Sequence, residues 1–237
     1  FNYLPNRRHG DATPLDIQRL KGCMRETECD RLWALSSMQN ERVFHLRSNF
    51  YTDDFFTPMP TIENDAQPLA EIMQTQQPHV VTVAFDPEGT GPDTHYKVLL
   101  VVAQAIRILL ANPNTTITPV VWGYRNVWFR FHPTDSTLLA PVSAAALDRM
   151  HQAFMACFTT QKSASFPSPD FDGPFSEWSR QTQMDQRRIL GVLLGESYFT
   201  SHEDERMRDS AGFVYLKSMD VDEFLQGVQQ LKSRTQL

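Results

Sequence analysis

Apolar and polar positions alternate along this chain with periods that divide it into elements. Residues 1–13 are polar and turn-rich and predict a loop. From Pro14 to Ser36, Leu15, Leu20, Cys23, Met24, Leu32 and Leu35 recur at roughly helical spacing, and Pro14 is tolerated in a first helical turn. Val43 to Leu46 predicts a short strand, followed by an aromatic-rich loop from Phe50 to Pro60. A helix is expected over Ala66 to Gln76, stopped by Pro78. His79 to Phe85 is the best strand in the chain: it is rich in β-branched residues and nearly continuously apolar, the pattern of a strand buried on both faces.

A sharp loop, Asp86 to Asp93, separates that strand from a strong helix over Thr94 to Ala111, and a second strand follows at Ile117 to Trp122. This β-loop-α-β unit has the length of a right-handed crossover between parallel strands. The expected class is therefore α/β, a Rossmann-like parallel sheet flanked by helices. Further on, Tyr124 to Phe131 is aromatic and strand-like, helices are expected at Ser143 to Thr160 and Ser176 to Phe199, and the proline-rich stretch 163–174 between them is irregular. After Thr200 comes a charged run, then a short strand at Phe213 to Leu216 and a terminal helix from Val221 to Leu231. Val221, Phe224, Leu225 and Val228 lie on one side of that helix. The division expected is a domain over 1–199 and a charged linker with a helical extension over 200–237.

Composition narrows the class. With 237 residues, 41% apolar and 21% charged, the chain can bury a sizeable core. No apolar run approaches the ~18 residues of a spanning segment, so no membrane span is expected. Twenty-two Lys and Arg against 28 Asp and Glu give a net charge of −6, a poor balance for coating a nucleic-acid backbone. Three cysteines, Cys23, Cys29 and Cys157, are too few for a disulfide framework and point to a reducing intracellular compartment, cytoplasm or organelle matrix. Phe1 stands first with no initiator Met and no signal peptide, which reads as a processed chain or part of a longer one.

Chemistry is expected beyond the carboxyl ends of the strands, where open α/β sheets bind ligands. The loop after the first strong strand carries Asp86, Glu88, Asp93 and His95, with Gly89 and Gly91 allowing close backbone approach. A carboxylate and an imidazole there suit zinc binding or proton transfer, and the following helix N-terminus suits an anion. The alternative is a plain helix start, capped by Asp93 or Thr94. A second cluster, Tyr124, Arg125 and Trp128 with Arg130 and His132, offers aromatic rings beside an arginine, as a sugar or phosphate pocket would, or as aromatic packing would.

The run Pro78 to Asp86, the loop through Gly91-Pro-Asp-Thr-His95 and the helix behind it are similar to the PIG-L/LmbE family of zinc-dependent N-acetylglucosaminyl deacetylases. Closest is the version that forms the C-terminal domain of long glucosamine-6-phosphate deaminase-like proteins. Tyr124-Arg125 with Trp128, Gln161-Lys162 and Glu177-Trp178 extend the likeness, which runs loosely from Phe1 to Phe199. The resemblance implies His95 as a metal ligand, Asp86 and Asp93 as catalytic carboxylates, and Arg125, Trp128 and Tyr124 as substrate contacts.

Two departures matter. The family's His-Pro-Asp-Asp loop is absent, so the first strands and first third of the domain are not in this chain. In the family's His-x-x-His element, His95 matches the second position while Pro92 occupies the first. One imidazole does not make a zinc site, so zinc is expected only if residues outside this chain complete it. Three readings follow: a deacetylase-family domain of amino-sugar metabolism (glucosamine 6-phosphate type) that is not competent on its own, a non-catalytic subunit of a larger assembly, and a sugar-phosphate-binding regulatory domain.

Overall fold

The computed structural model describes residues 8, 13–51, 57–125, 130–166, 168 and 170–235. Four strands, β1 (Val80–Ala84), β2 (Val120–Tyr124), β3 (Leu138–Ser143) and β4 (Ser210–Met219), form one sheet in the order β1-β2-β4-β3. The principal helices are α1 (Leu15–Leu35), α2 (Gln67–Gln76), α3 (Asp93–Ala111), α4 (Ala144–Cys157), α5 (Phe175–Leu194) and α8 (Val221–Thr235). Short helices α6 (Glu196–Thr200) and α7 (Glu205–Arg208) lie between α5 and β4. The fold is α/β with flanking helices, as the periodicity predicts.

β1 and β2 pair in parallel, Val80 opposite Val120 through Ala84 opposite Tyr124, with α3 as the crossover. The rest of the sheet is not parallel. β4 runs antiparallel to both neighbours, pairing with β2 from Leu216 to Met219 and with β3 from Ser210 to Leu216. The residues after 200, expected as a linker and extension, thus supply a strand that is hydrogen-bonded on both sides. β3 was absent from the periodic reading because Pro141 interrupts it; as the last strand of the sheet it tolerates a residue without an N–H.

The core gathers over one face of the sheet. Val83, Phe85, Val121, Phe213, Tyr215 and Met219 meet Leu99, Val102, Ile106, Phe224 and Val228 from α3 and α8, all buried. α3 is the one described helix long and apolar enough to cross a membrane, but Leu99, Ala105, Ile106 and Leu109 place its apolar side inside this core. The expectation that the first strand is buried on both faces is corrected: Val80, Val120 and Tyr124 on the other face remain 39%, 40% and 41% exposed. Tight packing on the core side is enforced by glycine. A Cβ at Gly123 would lie 2.8 Å from Phe85 Cβ, and one at Gly227 would lie 2.9 Å from Phe85 Cζ.

α1 forms where expected but not for the expected reason. Leu15, Leu20, Met24 and Leu35 are exposed, and its one buried residue is Glu28. The Glu28 carboxylate accepts hydrogen bonds from the Thr160 N–H (2.7 Å), the Thr160 hydroxyl (2.8 Å) and the Thr159 hydroxyl (3.1 Å) just beyond α4. Residues 43–46 are not a strand; they run extended beside α1, where His45 meets Asp30 at 2.8 Å and Arg47 meets Glu26 at 2.7 Å. The helix expected over 176–199 is divided by Gly195, whose φ of +85° ends α5 before α6 begins.

Candidate functional site

A cavity of about 550 Å³ opens at the carboxyl ends of β1 and β2, where the loop after β1 turns into α3. Its walls carry Phe85, Asp86, Asp93, His95, Tyr96 and Tyr124, closed on the far side by Leu231 and Thr235 of α8 and by Met59. The position is the one the strand-loop-helix pattern points to.

Asp86 organises the loop rather than facing a ligand with free oxygens. Oδ2 accepts from the Gly91 N–H (2.7 Å), the Thr90 N–H (2.8 Å) and the Thr90 hydroxyl (2.9 Å), while Oδ1 accepts from Arg125 Nη2 (2.8 Å) and the Glu88 N–H (3.2 Å). Burial alone would raise this carboxyl's pKa. The Thr90 hydroxyl, the Arg125 charge and the two backbone donors outweigh it, so Asp86 stays ionised below the ordinary carboxylate range. Gly89 allows the turn with a φ of +68°.

Arg125 also reaches Glu88 Oε2 at 2.6 Å, and its side chain is only 7% exposed. Its guanidinium lies 5.8 Å from the centre of the Phe131 ring. It is therefore held between two carboxylates and does not line the cavity. Trp128, its expected companion, lies outside the described residues. Tyr124 does reach the cavity, and burial, reinforced by the nearby Tyr51, pushes its phenol pKa up, so it stays protonated.

At the start of α3 no side chain caps the helix, since Pro92 occupies the N-cap position. Asp93 instead pairs with Lys97 one turn on, at 2.6 Å. Lys97 is buried, and its ammonium also donates to the Thr57 hydroxyl (2.6 Å) and carbonyl (3.0 Å), which fixes Thr57 against α3. His95 is half-buried on the cavity wall, and burial lowers its pKa, so the imidazole is neutral near pH 7. Behind it, the Thr235 hydroxyl donates to the Tyr96 hydroxyl at 3.1 Å.

These residues do not fit a zinc ion. Among the described residues, no group of three His, Cys, Asp or Glu is gathered to hold a metal. Near His95, the Asp86 oxygens already accept five hydrogen bonds and Asp93 is paired to Lys97. The structure therefore brings Asp86, Asp93, His95 and Tyr124 to one cavity and sets Arg125 behind it. Glu177 and Trp178 open α5 away from the cavity, where Trp178 stacks on Phe166 with ring centres 5.0 Å apart. The sequence reading missed Tyr96, Leu231 and Thr235. The apolar period of the last helix, Phe224 and Val228, continues through Leu231 to Thr235 and is the signal that would have found the last two.

No protein-family model matches the chain, and no solved structure matches it at a significant level. Over 172 residues it is 23% identical to a glucosamine-6-phosphate deaminase-like protein of Bacteroides thetaiotaomicron, a match covering 71% of this chain and 25% of that protein. The chain thus spans about a quarter of the length of this relative.

Proposed function

We propose that this chain is a hexosamine-binding domain of amino-sugar metabolism, built on a deacetylase-like α/β scaffold and not competent for metal-dependent hydrolysis by itself. The observation that carries this reading is the cavity, which combines aromatic walls with a few polar groups. Tyr96, Tyr124 and Phe85 offer rings to the apolar side of a sugar, while neutral His95 and the Asp93 carboxylate offer hydrogen-bonding partners to its hydroxyl and amino groups. The similarity to a glucosamine-6-phosphate deaminase-like protein supports the same substrate area. Titration of the 237-residue chain with glucosamine and N-acetylglucosamine, followed by amide chemical shifts, tests it. Shifts at Gly89, Gly91, His95 and Tyr124 that vanish in Tyr124→Ala support the reading; an unmoved spectrum with both sugars ends it.

A second reading, that the domain works as part of a larger assembly, has its own support. β1 is the first strand of the sheet, and its Val80-Val81-Thr82-Val83-Ala84 run carries none of the lysines, prolines or bulges that guard exposed edges. Val80 and Val120 are exposed beside it. Another segment adding strands there would place its own side chains close to His95, and a zinc-dependent deacetylase centre of the PIG-L/LmbE type would then be completed from outside these residues. Zinc content of the chain alone and in its native assembly, with His95→Ala beside each, separates the two. Zinc bound only in the assembly, and lost in the variant, favours the completed centre.

A further inference from the structure

A second cavity, of about 240 Å³, opens between α3, α8 and the segment that leads into α2. Part of its wall is apolar and buried, formed by Ala66, Val101, Ala103 and Val228. Its polar side chains include two pairs at helical spacing, Gln104 with Arg107 on α3 and Gln229 with Lys232 on α8. Residues three apart share a helix face, so each helix presents one amide and one cation to the same space.

These two cations differ from those near the first cavity. Lys97 is tied to Asp93 and Thr57, and Arg125 to Asp86 and Glu88. Arg107 and Lys232 are exposed, and among the described residues neither side chain has a carboxylate or other hydrogen-bonding partner. No Asp or Glu lines this cavity, in a chain that carries 28 of them against 22 Lys and Arg. Glu63 and Asp65, close by in sequence, stay out of its wall, and Asp65 accepts the Thr61 N–H at 2.8 Å. The positive charge at the cavity is therefore left uncompensated by its own lining.

The start of a helix adds to the same sign. Thr61 and Ile62 line the cavity, and the helical turn Ile62–Ala66 runs on into α2. The Thr61 hydroxyl accepts the Asn64 N–H, and its carbonyl accepts from Asp65 and Ala66. The N–H groups of Ile62 and Glu63 precede any helical acceptor, at the positive end of the helix dipole.

Two separate cations suit a dianion better than a single carboxylate, and an arginine fork matches phosphate geometry. A phosphate monoester carries nearly two charges at neutral pH. The cavity is smaller than the about 300 Å³ at which ligand pockets usually begin, which limits the carbon body to a few atoms. We propose that this cavity binds a small phosphate monoester, with the phosphate held by Arg107 and Lys232 and the carbon body against Val101 and Val228. The site is separate from the sugar cavity and does not depend on that reading.

The test titrates the 237-residue chain at low ionic strength and about pH 7.5 with inorganic phosphate, glycerol phosphate and acetate, followed by calorimetry and amide chemical shifts. Both phosphates are expected to shift Ile62, Glu63, Gln104 and Gln229, glycerol phosphate to bind more tightly than inorganic phosphate, and acetate to bind more weakly than either. Arg107→Gln and Lys232→Gln should each weaken phosphate binding about tenfold, the worth of one charge-assisted hydrogen bond. Arg149→Gln, which removes an exposed cation on α4 outside the cavity wall, should leave binding unchanged. The proposal is overturned if phosphate does not bind, if the shifts centre on Gly89 and Gly91 or spread over the surface, or if Arg149→Gln weakens binding as much as Arg107→Gln. Glycerol phosphate binding no more tightly than inorganic phosphate also overturns it, because the apolar wall then holds no carbon body. Should a glutamine variant lose its folded spectrum, the wild-type shift pattern and the order of the three ligands decide the matter.

Discussion

Arg125 Nη2 lies 2.8 Å from Asp86 Oδ1, a pair in which the arginine side chain is 7% exposed and the aspartate 18%. With the Arg125–Glu88 pair beside it, it ties the end of β2 to the loop after β1, so the two strand ends that frame the cavity are held together through Arg125. Replacing Arg125 leaves Asp86 without its counter-charge, and replacing Asp86 leaves the buried guanidinium with Glu88 alone. Asp86→Ala, which also orphans the N–H groups of Thr90 and Gly91, is expected to cost about 2–4 kcal/mol in chemical denaturation. Arg125→Ala should cost less, because the loop donors still serve Asp86. A double-mutant cycle showing no coupling between the two positions would remove the pair from this account.

The same carboxylate makes stability depend on acid. Its pKa is depressed in the fold, so its contribution is fully present above the unfolded value, near about pH 4, and is lost as pH falls through the lower folded value. Between those limits the wild type should lose stability more steeply than Asp86→Asn. Parallel acid titrations of the two, read by tryptophan fluorescence, make the comparison.

Glu28 anchors α1. Its carboxylate is 3% exposed and accepts from Thr159 and Thr160, while Arg25 Nη1 approaches at 3.3 Å. Glu28→Ala removes the charged acceptor that the Thr159 and Thr160 donors share and is expected to destabilise by about 1–3 kcal/mol. Because α1 offers little other buried surface, the loss should be local: faster amide exchange and proteolysis across residues 15–35, with α3 and α8 unchanged. Uniform loss of protection throughout the chain would mean that α1 is part of the core.

These residues also show what the sequence disclosed. The strand-loop-helix-strand unit from residue 79 to 124 was legible because its apolar run and its helical period are both long and local. The loop residues Asp86, Asp93 and His95 were legible for the same reason, being a few positions apart. Their roles were not, because the partners that fix them, Arg125 for Asp86 and Thr57 for Lys97, are distant in sequence. β3 hid behind Pro141. Most of β4 hid behind Ser210, Gly212, Lys217 and Ser218, polar or small positions that no alternation marks as the inside of a sheet. α1 misled in the opposite sense: its leucines recur at helical spacing, yet a glutamate holds it down.

Phe85 is wedged between two glycines, and this gives a graded test of core packing. At Gly123 an added Cβ would meet Phe85 Cβ at 2.8 Å and Met219 Cε at 3.1 Å, and neither the strand nor the base of the phenylalanine side chain can withdraw. Gly123→Ala is expected to cost about 1–3 kcal/mol by overpacking. At Gly227 the close atom is the far end of the same ring, at 2.9 Å, and alanine gains up to about 1 kcal/mol of helix propensity in α8. Gly227→Ala should therefore be the milder change. The reverse order in thermal denaturation would contradict the packing described around Phe85.

His95 sets a second pH dependence, with a different window. Burial on the cavity wall lowers its pKa, so the unfolded chain takes up this proton more readily than the fold does. Stability from this group is highest above the unfolded pKa, near about pH 6.5, and falls as pH drops from there towards the folded value, below which the whole penalty is present. His95→Gln removes the titration while keeping a hydrogen-bonding side chain on the wall, so the variant should lose less stability than the wild type as pH falls through about 6.5 towards the lower folded value. Ligand binding should follow the same proton, because a charged imidazole would have to be desolvated against Tyr96 and Leu99. An NMR titration of the His95 ring proton reads the pKa directly. A midpoint at or above that of the exposed histidines would show that the cavity does not desolvate this ring, and the acid sensitivity would then have to come from elsewhere.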